Sequence, residues 1–307
     1  MATRRANPPL TVAVLGAGAM GRPMIGRLLR HGHTVWAYDT QAAAMQALPA
    51  AVHRASSARQ AADAASVVIG CLPTLAAYRR AVLGRHGIGH GQAIALYLHV
   101  GTTGAALATQ LAQHLLERGI HTLDAPMTGG PARVANGTLS VMTAGSRTAQ
   151  RLAADVLASY ASQVVHVGRT VGMAQALKVH NNLLYIGNLL LASESLLAAQ
   201  RAGLALPQVL ELLSRGSGQN WVTSHMVPHH VLNGRFDFGA NLGMLRKDLH
   251  AARQEFTRLG LDAPMARLVQ RRLHQALRQW GEDDDVTAVF NPLRPQARGS
   301  GSGKAVL

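Results

Sequence analysis

Of the thirty basic residues in this 307-residue chain, twenty-seven are arginine; the lysines are Lys178, Lys247 and Lys304. The difference is chemical. A guanidinium keeps its proton in a protein, whereas a desolvated ammonium can be tuned towards neutral pH and exchange a proton with a substrate oxygen. Lys178 stands in the run Gly172-Met173-Ala174-Gln175-Ala176-Leu177-Lys178-Val179-His180-Asn181-Asn182. Helical spacing places Asn182 one turn from it on the same face. Such a pair can move a proton while the amide holds the reacting oxygen. A lone lysine on a helix is more often a snorkelling side chain at a domain seam, so its meaning depends on its surroundings. Lys304 falls in a Gly/Ser tail.

Two further constellations supply those surroundings. Gly16-Ala17-Gly18-Ala19-Met20-Gly21 follows an apolar run and opens a helical one. In that context the first glycine permits a tight turn, the second admits a pyrophosphate, and the third lets helix and strand pack closely. Free N–H groups at the helix start favour the phosphates. Asp39 ends the second strand and is followed by Thr40. A carboxylate there binds ribose hydroxyls and repels a 2′-phosphate, which favours NAD over NADP; capping the helix after Gln41 is a compatible second role. The other constellation is Asp124-Ala125-Pro126-Met127-Thr128-Gly129-Gly130, where two glycines after a hydroxyl residue expose backbone N–H groups suited to a carboxylate.

The elements that must carry these groups alternate. Apolar runs at 11–15, 34–38, 67–72, 93–100, 122–125, 139–144 and 164–167 read as strands, with helical periodicity at 20–30 and 105–118 between them. That order predicts a doubly wound parallel sheet of Rossmann type over 11–169. Beyond Gly168 the strands stop. A long helix over 171–201 and further helices over 207–214, 242–259 and 263–280 make residues 170–290 an all-helical domain built around the long interdomain helix. Residues 1–10 read as a disordered lead and 291–307, rich in Pro, Arg, Gly and Ser, as a disordered tail.

Composition excludes more than it selects. The net charge of +15 permits contact with nucleic acid, yet the arginines are scattered and no aromatic residues interleave with them. No nucleic-acid or membrane partner is expected; the apolar stretch 183–199 is broken by Asn188, Ser193 and Glu194. Cys71 is the sole cysteine, which fits a reducing, cytoplasmic setting. His225, His229 and His230 have no carboxylate or thiol at ligand spacing and Pro228 lies among them, so no metal is expected. Asp283 to Asp285 read as a solvated turn.

Taken in order, these motifs resemble the 3-hydroxyisobutyrate dehydrogenase family of β-hydroxyacid dehydrogenases, relatives of 6-phosphogluconate dehydrogenase, from Thr11 to about Trp280. The family's blocks are G-x-G-x-M-G, D-A-P-x-S-G-G, G-x-G-x-x-x-K-x-x-N-N and a late K-D pair, here Lys247-Asp248. The resemblance implies an NAD(P)-dependent oxidoreductase acting on a small 3-hydroxy acid or its semialdehyde. It implies Lys178 as acid/base, Asn182 on the substrate hydroxyl, and Thr128, Gly129 and Gly130 on the substrate carboxylate. Gly16, Gly18, Ala19, Met20, Gly21, Asp39, Leu72, Pro73, Thr102 and Lys247 would bind the cofactor, and the chain would form a homodimer or homotetramer with the long helix at an interface. An imine reductase on the same architecture would usually lack the lysine; a noncatalytic, basic dinucleotide-binding regulator is the other reading. The chain departs from the family at Ala174, at Arg133 (usually glycine, and a candidate second anion contact), and across His99-Val100-Gly101-Thr102-Thr103-Gly104-Ala105. There the family's D-x-S-T-x-x-P retains only the threonine.

Overall fold

The computed structural model describes residues 8–294. They divide into two compact units, one ending at Lys178 and one beginning at Val179. The first contains β1 (Thr11–Leu15), α1 (Gly21–Arg30), β2 (Thr34–Tyr38), α2 (Ala42–Gln46), β3 (His53–Arg54), α3 (Ala58–Ala64), β4 (Val67–Gly70) and α4 (Leu75–Leu83). It continues with β5 (Leu96–His99), α5 (Ala105–Leu116), β6 (His121–Asp124), β7 (Met127–Thr128), α6 (Gly130–Asn136), β8 (Leu139–Ala144), α7 (Arg147–Ala158) and β9 (Ala161–Gly168). Helix α8 (Met173–Arg201) begins in this unit and runs on into the second, which adds α9 (Leu206–Leu213), α10 (Leu242–Arg258) and α11 (Pro264–Trp280).

The sheet order is β3-β2-β1-β4-β5-β6-β8-β7, with β9 beside β8. Strands β1 to β6 are parallel. Successive side chains of β1 serve opposite faces: Val12 and Val14 join the core under α1, whereas Ala13 and Leu15 join the core under α3. Burial on both faces is why the parallel strands read as unbroken apolar runs.

The sheet is not parallel throughout. β8 runs antiparallel to β6 and β7, and β9 follows β8 in parallel. Only residues 129–138 separate β7 from β8, fewer than the dozen or more that a parallel crossover needs, so the chain turns back. The first unit also extends past the expected boundary at 169, because the first turns of α8 bond to the sheet edge.

In the second unit Ile186, Leu189 and Leu196 of α8 are fully buried against Val222, Met226, Leu242, Leu273 and Phe290. α8 is long and apolar enough to cross a bilayer, but this packing and the pairing of Glu194 with Arg272 make it a core helix. Two short helices escape the periodic reading. Val222–Val231 winds as a π-helix around Pro228, and Val286–Leu293 forms a 3-10 helix with Phe290 and Leu293 buried. Asp285 is thus no idle turn residue; it caps the 3-10 helix through Thr287 and accepts from Gly239 N–H. The chain stays packed past 291, where a tail was expected, and Leu10, within the expected lead, packs on the core. The rest of both expected segments, 1–7 and 295–307, lies outside the described residues.

The glycines of the first turn differ in what surrounds them. A Cβ on Gly21 would lie 1.8 Å from the Gly16 carbonyl oxygen, and one on Gly16 would lie 2.1 Å from the Cys71 carbonyl oxygen. Gly18 faces open space, with nothing within 4 Å. Gly21→Ala should therefore cost about 3 kcal/mol of stability in urea unfolding, at the upper end of overpacking. Gly18→Ala should cost less than about 1 kcal/mol; equal losses would contradict this packing.

Candidate active site

The residues read as cofactor ligands, except Lys247 on α10 of the second unit, lie at the carboxyl edge of the parallel strands. Gly16 follows β1, Asp39 follows β2, Leu72 and Pro73 follow β4, and Thr102 follows β5. β1 is flanked by β2 on one side and β4 on the other, so the chain order reverses there, the position at which open α/β sheets bind ligands. Leu72 Cδ2 lies beside Gly16, 3.4 Å from where a Cβ would stand. Asp39 does not stand free: its Oδ2 accepts from Ala17 N–H at 2.7 Å and its Oδ1 from Gln41 N–H at 2.8 Å. The first bond ties the glycine turn to the second strand. A carboxylate offers about four acceptor sites, so each oxygen retains capacity for a ribose hydroxyl. The open side of Gly18 and the exposed Gly18-Ala19 turn at the head of α1 give a dinucleotide the space it needs. Burial pushes the thiol of Cys71, just after β4, up to about 12, which keeps it protonated at neutral pH.

Asp124, at the end of β6, is fully buried and joins this edge to α8. Its Oδ2 accepts from Gly172 N–H at 3.1 Å and Gln175 N–H at 2.9 Å, and its Oδ1 from Gln175 Nε2 at 2.9 Å. The two backbone N–H groups are donors that the start of a helix leaves unpaired, so Asp124 caps α8 from 48 residues away. Burial raises the Asp124 carboxyl to about 6, against the lowering by its bonds from Gln175 and Gly172. The Gln175 amide extends the link. Its Oε1 accepts from Thr103 N–H and Gly104 N–H, and its Nε2 donates to the Gly101 carbonyl. Lys178, three residues further along this anchored helix, is itself buried.

The departure at 99–105 is a coordinated set. His99 is fully buried, with Nε2 2.7 Å from Thr103 Oγ1 and Nδ1 3.3 Å from Tyr97 Oη. Its ring also lies 4.6 Å from that of Tyr78. A neutral imidazole needs one donor and one acceptor, and two hydroxyls satisfy both without charge. Burial accordingly lowers the His99 pKa to about 3. The tyrosines fill the space that glycines vacate: a Cβ on Gly101 would meet Tyr78 Oη at 1.9 Å, and one on Gly70 would meet Tyr97 Oη at 2.1 Å. Tyr78 Oη in turn accepts from Leu72 N–H and donates to the Gly70 carbonyl, fixing the strand end next to Gly16.

The loop at Thr128 to Gly130 is partly open to solvent and turns through positive φ at Gly129 (129°) and Gly130 (72°). In the second unit, Asn182 Nδ2 donates to Asp248 Oδ2 at 2.6 Å, and Lys247 Nζ lies 2.6 Å from Asp248 Oδ1. Asn181 Nδ2 completes the set by donating to Asn182 Oδ1. Asp248 thus orients the asparagine, a role that adjacent letters K-D do not disclose. Gln175 was likewise invisible as a site residue, because its partners lie on two other segments. His225 stacks on Trp221 and His230 bonds Asp237; among the described residues no three His, Cys, Asp or Glu side chains cluster as a metal site.

A sheet with a glycine turn at its switch point, followed by a helical unit carrying Asn182 and Lys247, defines the class of NAD(P)-dependent dehydrogenases. Comparison with known proteins narrows it. Residues 11–168 match the NAD binding domain of 6-phosphogluconate dehydrogenase, and residues 172–293 match the NAD-binding domain of NADP-dependent 3-hydroxyisobutyrate dehydrogenase. An uncharacterized oxidoreductase of Shewanella frigidimarina is 34% identical over 92% of this chain and 97% of its own length. A probable 3-hydroxyisobutyrate dehydrogenase of Mycobacterium tuberculosis is 30% identical over 94% of this chain and 99% of its own. The solved structure of a Mycobacterium tuberculosis 3-hydroxyisobutyrate dehydrogenase with L-serine superposes with a TM-score of 0.84 at 28% identity, covering 94% of this chain and all of that one. The chain belongs to the 3-hydroxyisobutyrate dehydrogenase family of NAD(P)-dependent oxidoreductases.

The buried His99 makes stability depend on pH. Its pKa is lowered on folding, so its contribution is complete above the unfolded value near 6.5 and is lost as pH falls towards about 3. Asp124, raised on folding, acts oppositely: its contribution is complete below about 4 and is lost as pH rises through about 6. Replacing His99 with Asn removes only the first effect. Between pH 7 and pH 4, wild type should lose about 3 kcal/mol more than the variant in urea unfolding. Parallel losses would show that His99 is not held neutral.

Proposed function

We propose that this enzyme oxidises the hydroxyl of a small 3-hydroxy acid, and reduces the corresponding semialdehyde, with Lys178 as the proton-transferring group. The observation that carries this reading is the anchoring of α8. Asp124 and Gln175 fix its first turn to the carboxyl edge of the nucleotide-binding sheet, and Lys178 follows within one turn. A bound nicotinamide supplies the hydride acceptor for oxidation and the donor for reduction. Lys178 Nζ takes the hydroxyl proton as the carbon–hydrogen bond breaks and returns it in the reverse direction. Asn182, its amide set by Asp248, holds the reacting oxygen without fixing its charge. Thr128 Oγ1 and the N–H groups of Gly129 and Gly130 hold the substrate carboxylate, and that positioning supplies much of the rate.

In the same reading Lys247 gives the dinucleotide a cation, and Thr102, Leu72 and Pro73 contact it. Asp39 selects NAD over NADP by binding ribose hydroxyls and repelling a 2′-phosphate. The enzyme acts on a small carboxylate in the cytoplasm, where Cys71 stays reduced. It assembles as a homodimer or homotetramer; Leu184 and Leu191, seven residues apart and exposed on α8, support a covered face.

Lys178→Ala and Lys178→Arg should each lower kcat about 10²- to 10⁴-fold with NADH binding retained. Lys247→Arg, which keeps the charge, should lose less than about tenfold. Steady-state rates with 3-hydroxyisobutyrate and NADH fluorescence titration measure both; near-wild-type turnover in Lys178→Ala would remove the assignment. With NAD and NADP assayed in parallel, wild type should prefer NAD by kcat/KM. Asp39→Ala should narrow that preference about tenfold or more. A wild-type preference for NADP refutes the role given to Asp39.

A further inference from the structure

Arg133 stands beside the Thr128 to Gly130 loop. It lies on α6, and its side chain folds back over the loop: a Cβ on Gly129 would stand 2.5 Å from Arg133 Cδ, 3.3 Å from Cγ and 3.2 Å from Cβ. Gly129 is thus required twice, by its positive φ and by the arginine stem lying across it. The direction agrees with helix geometry, in which side chains tilt towards the N-terminal turn. Held by its stem, the guanidinium begins one bond beyond Cδ, next to the Thr128 to Gly130 loop.

The arginines around α6 are otherwise occupied. Arg27 Nε donates to the Ser159 carbonyl at 2.7 Å, and Arg30 Nη2 donates to the Ala135 carbonyl at 3.1 Å. Arg133 is exposed, and among the described residues no carboxylate or carbonyl accepts from its guanidinium. The loop already has a hydroxyl and two backbone N–H groups for one carboxylate. A planar fork with unspent donors beside that set matches a second carboxylate, which guanidinium binds in bidentate fashion.

We propose that Arg133 sets the substrate class to hydroxy diacids, binding the second carboxylate while the loop binds the first. The inference rests on the reading of Thr128 to Gly130 as the carboxylate loop. Two probes separate the two ideas. 3-Hydroxyisobutyrate and 2-(hydroxymethyl)glutarate share the same hydroxymethyl and carboxylate groups; a methyl in the first is replaced by a carboxyethyl arm in the second.

Wild type should favour the diacid by kcat/KM. In Arg133→Met, which keeps the stem over Gly129 and removes the charge, the diacid-to-monoacid ratio should fall about 10- to 100-fold. The change should sit in the diacid KM, because the contact is equal in ground and transition states. Arg133→Lys, a point charge without the fork, should restore only part of the ratio. A ratio moved less than about threefold in Arg133→Met, or a wild-type preference for the monoacid, overturns the proposal and leaves the carboxylate loop intact. Turnover of neither acid by wild type overturns the functional reading itself.

Discussion

A single buried carboxylate fixes the start of the long helix α8 to the end of a sheet strand. Asp124 closes a strand of the parallel sheet and accepts three hydrogen bonds from the start of α8. A helix leaves its first N–H groups unpaired, and burying them without an acceptor is costly. Asp124 supplies that acceptor from the sheet itself, so the helix can begin only where the strand ends. Its carboxyl titrates near 6 because burial opposes the charge that those donors favour. Lys178 inherits its place from this joint. Gln175 broadens the joint by binding the loop after β5 with the other end of its amide.

The loop held in this way has been rebuilt with its surroundings. Tyr78 and Tyr97 occupy the volume above Gly101 and Gly70, and neutral His99 bridges Tyr97 to Thr103. Residues of the family pattern D-x-S-T-x-x-P would not fit beside these tyrosines: a Cβ at 101 alone would collide with Tyr78. The departure therefore reflects one packing solution in which aromatic bulk and missing side chains compensate. It leaves the strand end beside Gly16 fixed by the Tyr78 hydroxyl.

Much of this was legible in the sequence. The parallel strands were readable because both faces are buried, which produces continuous apolar runs. The glycine turn was readable because its spacing answers to local sterics, and the helices α8, α10 and α11 because their periodicity is long. Other features were not legible. The reversal at β8 depends on a short connection whose glycines turn it back. The π-helix around Pro228 and the 3-10 helix at Val286–Leu293 have no distinct periodic signature. The capping of α8 by Asp124, and the bond that Asn182 donates to Asp248, join residues 48 and 66 positions apart.

What the sequence by itself determined is the set of local possibilities: a glycine turn after the first strand, a pair of glycines after a hydroxyl residue, and lysines in a chain that otherwise uses arginine. Each follows from the conformational or acid–base character of single residue types at fixed spacing. The tertiary structure decided which polar groups are spent and which remain for a ligand. Asp39 is shared with Ala17 and Gln41, Gln175 is committed on both ends of its amide, and Arg133 keeps its donors. Hydrogen-bonding capacity is finite and its partners come from distant segments. Its allocation is therefore fixed only when the chain has folded.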